Sequence, residues 1–466
     1  MDCRPRLRPG SGLAVVLAAA LVSDPAIDGS PGPTPQLVFE SHPHVEALGC
    51  PSQGTATSRK SSAPIDRIPG ADDLRVAAID PARLPSPPAP HLTGHVLRGF
   101  ELPAAGGGPL TVGVWGDSHV AAGFITEELA KHVEAKGLSV ATRIVPASVG
   151  RPGVRLPVRQ VCKGGAWQFQ PAYNVPAPIP VGPALSNLRS TRTGDYLWLD
   201  LRKSADRLVR GVRINYLPTR NASAMGVRID DGSEVRVELS QRRGSQTVAP
   251  GVIDLRGSSS ISTLKLRVLQ GEVVLQALTL DYATPADVTI DVFGLPSATV
   301  NGWSNADPAY LRQSIDAGAY DAIILEYGTN EGAVGRFDAS KYAAMLRASL
   351  EKMRVVFPDS ACLLVGPTDR GVRIPQGTRG SRVDFLQYSR IHQQIARIQG
   401  DVGAKFGCAL WDWQRAMGGT GSIYAWARAT PALAASDLIH LTLSGYRRSA
   451  TVLAQSLGWI TNPELR

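Results

Sequence analysis

Leu110-Thr111-Val112-Gly113-Val114-Trp115-Gly116-Asp117-Ser118-His119 is an apolar run that stops at a glycine and meets an acid, a hydroxyl and an imidazole in succession. The run predicts a short strand buried on both faces, as in a parallel sheet. Phe124 to Lys136 then carries helical spacing. Ser118 therefore falls at a strand-to-helix turn, on the sheet edge where open α/β folds bind ligands. Its hydroxyl stands beside the free N–H groups of a helix start, which can stabilise an oxyanion. Asp and Ser are also ordinary helix caps, so the tripeptide by itself leaves both readings open.

Working outward, apolar strands recur at Val288 to Phe293, Ala322 to Leu325, Cys362 to Val365 and Ala409 to Trp411. Helical segments lie between several of them: Ala309 to Ala317, Lys341 to Val356 and Phe385 to Ile398. Strands alternating with helices predict an α/β fold on a parallel sheet. From about Gly150 to Pro285 the rhythm changes to period-two runs. Tyr196 to Asp200, Gly211 to Tyr216, Ser233 to Leu239 and Leu264 to Val268 alternate, with Asp231-Gly232 as a turn. They predict an antiparallel β-sandwich inserted into the α/β domain.

The partner for Ser118 is sought in Asp437-Leu438-Ile439-His440. A histidine can take the serine proton near neutral pH, and a carboxylate three residues earlier can hold its tautomer. Tyr446, Ala450, Leu453 and Leu457 follow at helical spacing and anchor the loop. In Tyr327-Gly328-Thr329-Asn330-Glu331, after the third long strand, Asn330 can donate a side-chain N–H to an oxyanion. Gly302, in Asn301-Gly302-Trp303, can offer a backbone N–H, with Gly294 at the strand end as its rival. Each of these residues also has an ordinary reading as a turn, loop or surface residue.

Their order lifts them above those readings. Serine after the first strand, glycine after the second, asparagine after the next and Asp-x-x-His before the last helix resemble the SGNH (GDSL-like) hydrolase superfamily. The likeness spans about Leu110 to Pro146 and Val288 to Leu457. It implies a three-layer sheet flanked by helices, with Ser118 as nucleophile and Asp437 and His440 completing the triad. Gly302 and Asn330 would form the oxyanion hole with the Ser118 N–H. Gly-Asp-Ser-His and Asn-Glu in the first and third blocks look like bacterial peptidoglycan O-acetylesterases, which also carry a β-rich, carbohydrate-binding-module-like insertion between the first two blocks. The gap from Ser118 to Gly302 far exceeds the roughly 30 residues of a strand–helix–strand unit, leaving room for such a domain. The resemblance implies an esterase that removes O-acetyl groups from a cell-envelope glycan, peptidoglycan foremost, without metal or organic cofactor. A polysaccharide O-acetyltransferase, an esterase of plant or exopolysaccharide glycans, and a glycan-binding protein with a decayed site are the alternatives.

Composition is compatible with this reading. Hydrophobic residues make up 43% of the 466 and charged residues 19%, enough for a large core and too apolar for wholesale disorder. The net charge of +9 comes without the basic, aromatic-interleaved runs of a nucleic-acid binder. No internal apolar run has the length of a membrane span, so an integral membrane protein is not expected. Arg4, Arg6 and Arg8 before the apolar stretch Leu13 to Val22 predict a signal peptide over 1–26. Export follows from it, and the family resemblance implies a periplasmic or secreted protein. Residues 27–103, rich in Pro, Ser and Ala, read as a linker; 104–149 and 286–466 as the two hydrolase segments; and 150–285 as the insertion.

The smaller expectations are these. Among Cys50, Cys162, Cys362 and Cys408, Cys362 sits in an apolar strand and is expected to be a buried free thiol. No Cys/His cluster has metal-ligand spacing. His119 is expected to be structural, and Trp167, Tyr173, Tyr196 and Trp198 to be core aromatics before they are sugar platforms. Arg370, Arg373, Arg379 and Arg382, in the loop after Val365, are placed at the rim of the site, facing an acidic sugar. Oligomeric state has no signal in the sequence.

Overall fold

The computed structural model describes residues 36–39, 98–104, 107–203, 207–241, 248–315, 319–373 and 383–460. The predicted signal peptide and most of the predicted linker lie outside them. Six parallel strands form the central sheet, in the spatial order Cys408–Trp411, Ala361–Val365, Ala322–Glu326, Leu110–Gly116, Val288–Gly294 and Val140–Ala141. The five longer strands are those the apolar runs predict. Side chains alternate across the sheet. Val112, Val114, Ile290, Ile324 and Leu363 enter one core with the helices Phe124–Glu134 and Leu443–Ser456. Trp115, Phe293, Ile323, Leu325 and Leu364 enter another with Pro308–Ile315, Ala339–Val356 and Gln387–Gly403.

The insertion is two face-to-face sheets. One runs Gln36–Phe39, Gly251–Gly257, Val209–Tyr216, Val273–Tyr282, Ser186–Ser190, Gln168–Pro171, with Ile144–Pro146 also on Val273–Tyr282. The other runs Val235–Glu238, Ala224–Ile229, Thr263–Gln270, Tyr196–Asp200, Gln160–Gly164. Leu188, Val212, Ile214 and Leu275 from the first meet Leu197, Leu199, Val227 and Leu266 from the second, as in a sandwich core. Two of its strands come from outside the expected 150–285. Ile144–Pro146 arrives from the first α/β segment, and Gln36–Phe39, inside the expected linker, pairs in parallel with Gly251–Gly257. Phe100, also assigned to the linker, is buried, and its carbonyl accepts from Trp459 Nε1 at 2.7 Å.

The sandwich is fused to the α/β domain rather than hung from it. Ala172, Val181, Ala184 and Leu185 of the insertion share one core with Trp115, Phe293 and Trp303. Trp115 Nε1 donates to Pro183 O at 2.7 Å, Tyr310 Oη to Gln276 Oε1 at 2.9 Å, and Asn215 Nδ2 to Ser314 O at 2.9 Å. Trp167 and Trp198 are buried as expected of core aromatics.

The cysteine expectation needs correction. Cys362 is not a free thiol: it is bonded to Cys408, its partner in register on the neighbouring strand. Parallel pairing sets the two Cα atoms 4.5 Å apart, a separation that a disulfide spans and that no local pattern announces. Cys162 is disulfide-bonded as well.

Candidate active site

Ser118 opens the four-residue helix Ser118–Ala121 at the C-terminal end of Leu110–Gly116. Asp117 caps that helix, its Oδ1 accepting from His119 N at 2.9 Å. The cap lies on the sheet only because two glycines make room. A Cβ on Gly116 would stand 2.4 Å from Val120 Cγ2, and one on Gly294 would stand 2.1 Å from the backbone nitrogen of Ala121. The Ser118 N–H, at the first helical position, has no acceptor among the described residues.

Asp437 and His440 arrive from the far end of the chain on the loop before Leu443–Ser456. Ser118 Oγ lies 2.9 Å from His440 Nε2, and His440 Nδ1 lies 2.7 Å from Asp437 Oδ2. Asp437 Oδ1 accepts the N–H groups of Ile439 and His440, both at 2.9 Å. Leu438, between acid and base, takes a left-handed backbone, φ 57°, and its side chain is buried.

Electrostatics then assign the protons. Burial pushes the Asp437 carboxyl up, but the His440 hydrogen bond and the two backbone donors outweigh it and hold it down to about 2. Asp437 is thus a carboxylate at neutral pH, so Nδ1 carries the imidazole proton and Nε2 is free to accept from Ser118. The hydrogen bond to Asp437 raises His440 above its ordinary 6.5, against the effects of burial and of Arg370. This arrangement can remove the serine proton, hold the imidazolium that results, and return the proton to a leaving alcohol.

Asn330 reaches Asp117, the residue before Ser118, and both hydrogens of its amide are engaged. Its Nδ2 donates to Ala298 O at 2.8 Å and to Asp117 Oδ2 at 3.3 Å. Gly302 does not join as the expected donor. It sits within the short helix Asn301–Ser304, and its N–H is spent on Thr299 O at 3.1 Å. Its Cα faces Leu185 and Tyr173 of the insertion. The rival Gly294 serves close packing. The segment that Asn330 touches is Ala298, four residues before Gly302.

Three acids, Asp117 and Glu326 buried and Glu331 half-buried, escaped the sequence reading as site elements. Glu326, the last residue of its strand, accepts the Asp117 N–H at 3.1 Å. Glu331 accepts Val300 N at 2.8 Å and Gly328 N at 3.1 Å, so it ties the loop after the second long strand to the turn that carries Asn330. Burial lifts Asp117 to about 6 and Glu331 to about 7, and holds Glu326 well above the ordinary carboxyl range. A charged residue ending an otherwise apolar strand was the signal for Glu326. Among the described residues no group of His, Cys, Asp and Glu has the arrangement of a metal site.

His119 is structural, as expected: it is fully buried, with Nδ1 3.0 Å from Tyr446 Oη and its ring against Trp413 and His440. Burial pulls it down to about 3, so it is neutral. Of the arginine loop, Arg370 stands by the site, Arg373 is exposed, and Arg379 and Arg382 lie outside the described residues.

A parallel α/β domain with a serine–histidine–aspartate relay at its sheet edge and a β-sandwich inserted after the serine defines the class. Among solved structures, a peptidoglycan O-acetylesterase matches at 22% identity and a TM-score of 0.56, over 78% of this chain and 93% of that one. A carbohydrate esterase family 2 enzyme with a carbohydrate-binding domain, from Corynascus thermopiles (Myceliophthora fergusii), gives 13% identity and a TM-score of 0.25, over 63% and 100%. A family two carbohydrate esterase from Clostridium thermocellum gives 9% and 0.24, over 63% and 100%. The first likeness establishes a shared fold; the other two score too low to bear on the argument. No family model and no curated protein matches the chain.

Proposed function

We propose that the chain is an exported serine esterase that removes O-acetyl groups from a cell-envelope glycan, with peptidoglycan as that glycan. The observation that carries the chemistry is the continuous relay Ser118–His440–Asp437 at 2.9 and 2.7 Å. His440 takes the Ser118 proton as Oγ attacks the acetyl carbonyl, and the tetrahedral oxyanion forms beside the Ser118 N–H, with Asn330 Nδ2 joining by exchanging its long 3.3 Å bond to Asp117 Oδ2 for the oxyanion. The sugar hydroxyl leaves with the proton from His440. Water, deprotonated by the same imidazole, then releases acetate from Ser118. Hydrolysis is favoured over transfer to a second sugar because the His440 and Asp437 side chains are 40% and 36% exposed, leaving the base open to water. The fold shared with a peptidoglycan O-acetylesterase supports the choice of glycan.

The test is acetate release from O-acetylated peptidoglycan by the purified protein beside Ser118→Ala, with a small acetyl ester in parallel. Release that disappears in the variant supports both chemistry and glycan. Hydrolysis of the small ester alone removes peptidoglycan and keeps the esterase. Failure on both overturns the reading.

A further inference from the structure

Arg370 follows the strand Ala361–Val365 at the same sheet edge as Ser118. Its guanidinium lies over the Tyr388 ring, 4.7 Å from the centroid. Nη1 donates to Thr329 O at 3.3 Å, a long bond to the residue before Asn330. Nε is buried and has no acceptor. Among the described residues no carboxylate lies within ion-pair distance of it. The charge nevertheless acts on the relay, favoured by Asp437 and opposing protonation of His440.

This is an unusual state for an arginine. A guanidinium stripped of part of its water ordinarily recovers the cost with a carboxylate or with full hydrogen bonding. Arg256, Arg267 and Arg143 of this chain all do so, on Asp281, Glu234 and Asp291. Arg370 has one weak acceptor, an aromatic support that sets its plane, and a position between the Asn330 turn and Asp437. A flat, pre-oriented cation with an unpaired Nε, beside the Asn330 turn and electrostatically coupled to Asp437 and His440, matches a planar anion presented by the substrate.

We propose that Arg370 binds a carboxylate of the glycan next to the acetyl ester, so that the enzyme selects acidic O-acetylated saccharides. The inference rests on the esterase reading above for what the site turns over, but its binding part stands independently. Two measurements test it. In the first, kcat/KM is compared on an O-acetylated acidic oligosaccharide and on the same oligosaccharide with its carboxylate reduced to an alcohol. Wild type should prefer the acid, and Arg370→Gln should lower the acid-to-alcohol ratio ~10- to 100-fold, mostly through KM, as expected for loss of a charged hydrogen bond. Arg370→Lys should keep part of the preference. An equal fall on both substrates would make Arg370 a positioning residue and overturn the proposal, as would an unchanged ratio.

The second uses calorimetric binding of the two oligosaccharides to Ser118→Ala, with and without Arg370→Gln. A preference for the acid that vanishes with the arginine supports carboxylate recognition even where no acetate is released. Equal affinity for both saccharides in Ser118→Ala overturns it. Absence of turnover on every ester, together with an intact binding preference, would instead sink only the esterase reading.

Discussion

Glu326 accepts the backbone N–H of Asp117 at 3.1 Å, which sets two fully buried carboxyl groups side by side next to Ser118. They cannot both ionise cheaply, and burial is the largest influence on each. A carboxyl raised above its unfolded value keeps a proton that the unfolded chain has released. Its contribution is therefore fully present below about pH 4 and is lost as pH rises toward the folded value. Glu326→Gln keeps an oxygen for the Asp117 N–H and removes this titration. Denaturant unfolding between pH 6 and 8 should show the variant's stability falling less steeply than wild type, by up to ~1.4 kcal/mol per pH unit for one proton. Parallel curves would mean that Glu326 is ionised in the fold.

His440 must be neutral to accept the serine proton, and its bond to Asp437 raises it above 6.5. The acid limb of kcat/KM should accordingly lie above pH 6.5 in wild type and move to lower pH in Asp437→Asn. That variant should also lose kcat by roughly 10⁴-fold, because the tautomer is no longer held. A wild-type limb below 6.5 would argue against His440 as the base.

The two glycines once rivals for one role separate by substitution. Gly294→Ala drives a Cβ into the backbone of the nucleophile's helix at 2.1 Å, where nothing flexible can give. Gly302→Ala meets Leu185 Cδ1 at 3.4 Å, an ordinary contact. Gly302→Ala should retain activity within about threefold and cost under ~1 kcal/mol, whereas Gly294→Ala should fold poorly or lose more than about 100-fold in kcat. A large loss in Gly302→Ala with normal stability would return Gly302 to the oxyanion hole.

The disulfide Cys362–Cys408 closes a loop of 46 residues between adjacent strands of the central sheet. Restriction of the unfolded chain by such a loop corresponds to about 4 kcal/mol. The double variant Cys362→Ala/Cys408→Ala should lose stability of that order in denaturant titrations while keeping the Ser118–His440 geometry and hence kcat. Unchanged stability would show that sheet packing alone carries the pair.

Much of this protein is legible along the chain, for a local reason. Strands buried on both faces are largely apolar runs, so Leu110–Gly116, Val288–Gly294 and Ala322–Glu326 announce themselves. Period-two alternation does the same for the sandwich. Ser118 opens a helix, Asn330 follows a strand by a turn, and Asp437 and His440 stand in the loop before the last helix, and each carries a group with chemistry.

Tertiary structure decided the rest. Ser118 and His440 are 322 residues apart, and only the sheet order brings them together. Whether a backbone N–H is free or spent depends on the turn around it, which removed Gly302 and turned attention to Ala298. The elevated acids Asp117, Glu326 and Glu331 are elevated by burial, a property of surrounding atoms and not of neighbours in sequence. The bond from Cys362 to Cys408 follows from parallel register, and the state of Arg370 from the lack of a carboxylate across from it among the described residues. Local pattern specifies elements and reactive types; which groups meet, and in what state of solvation and charge, is set by contacts that fold together from distant parts of the chain.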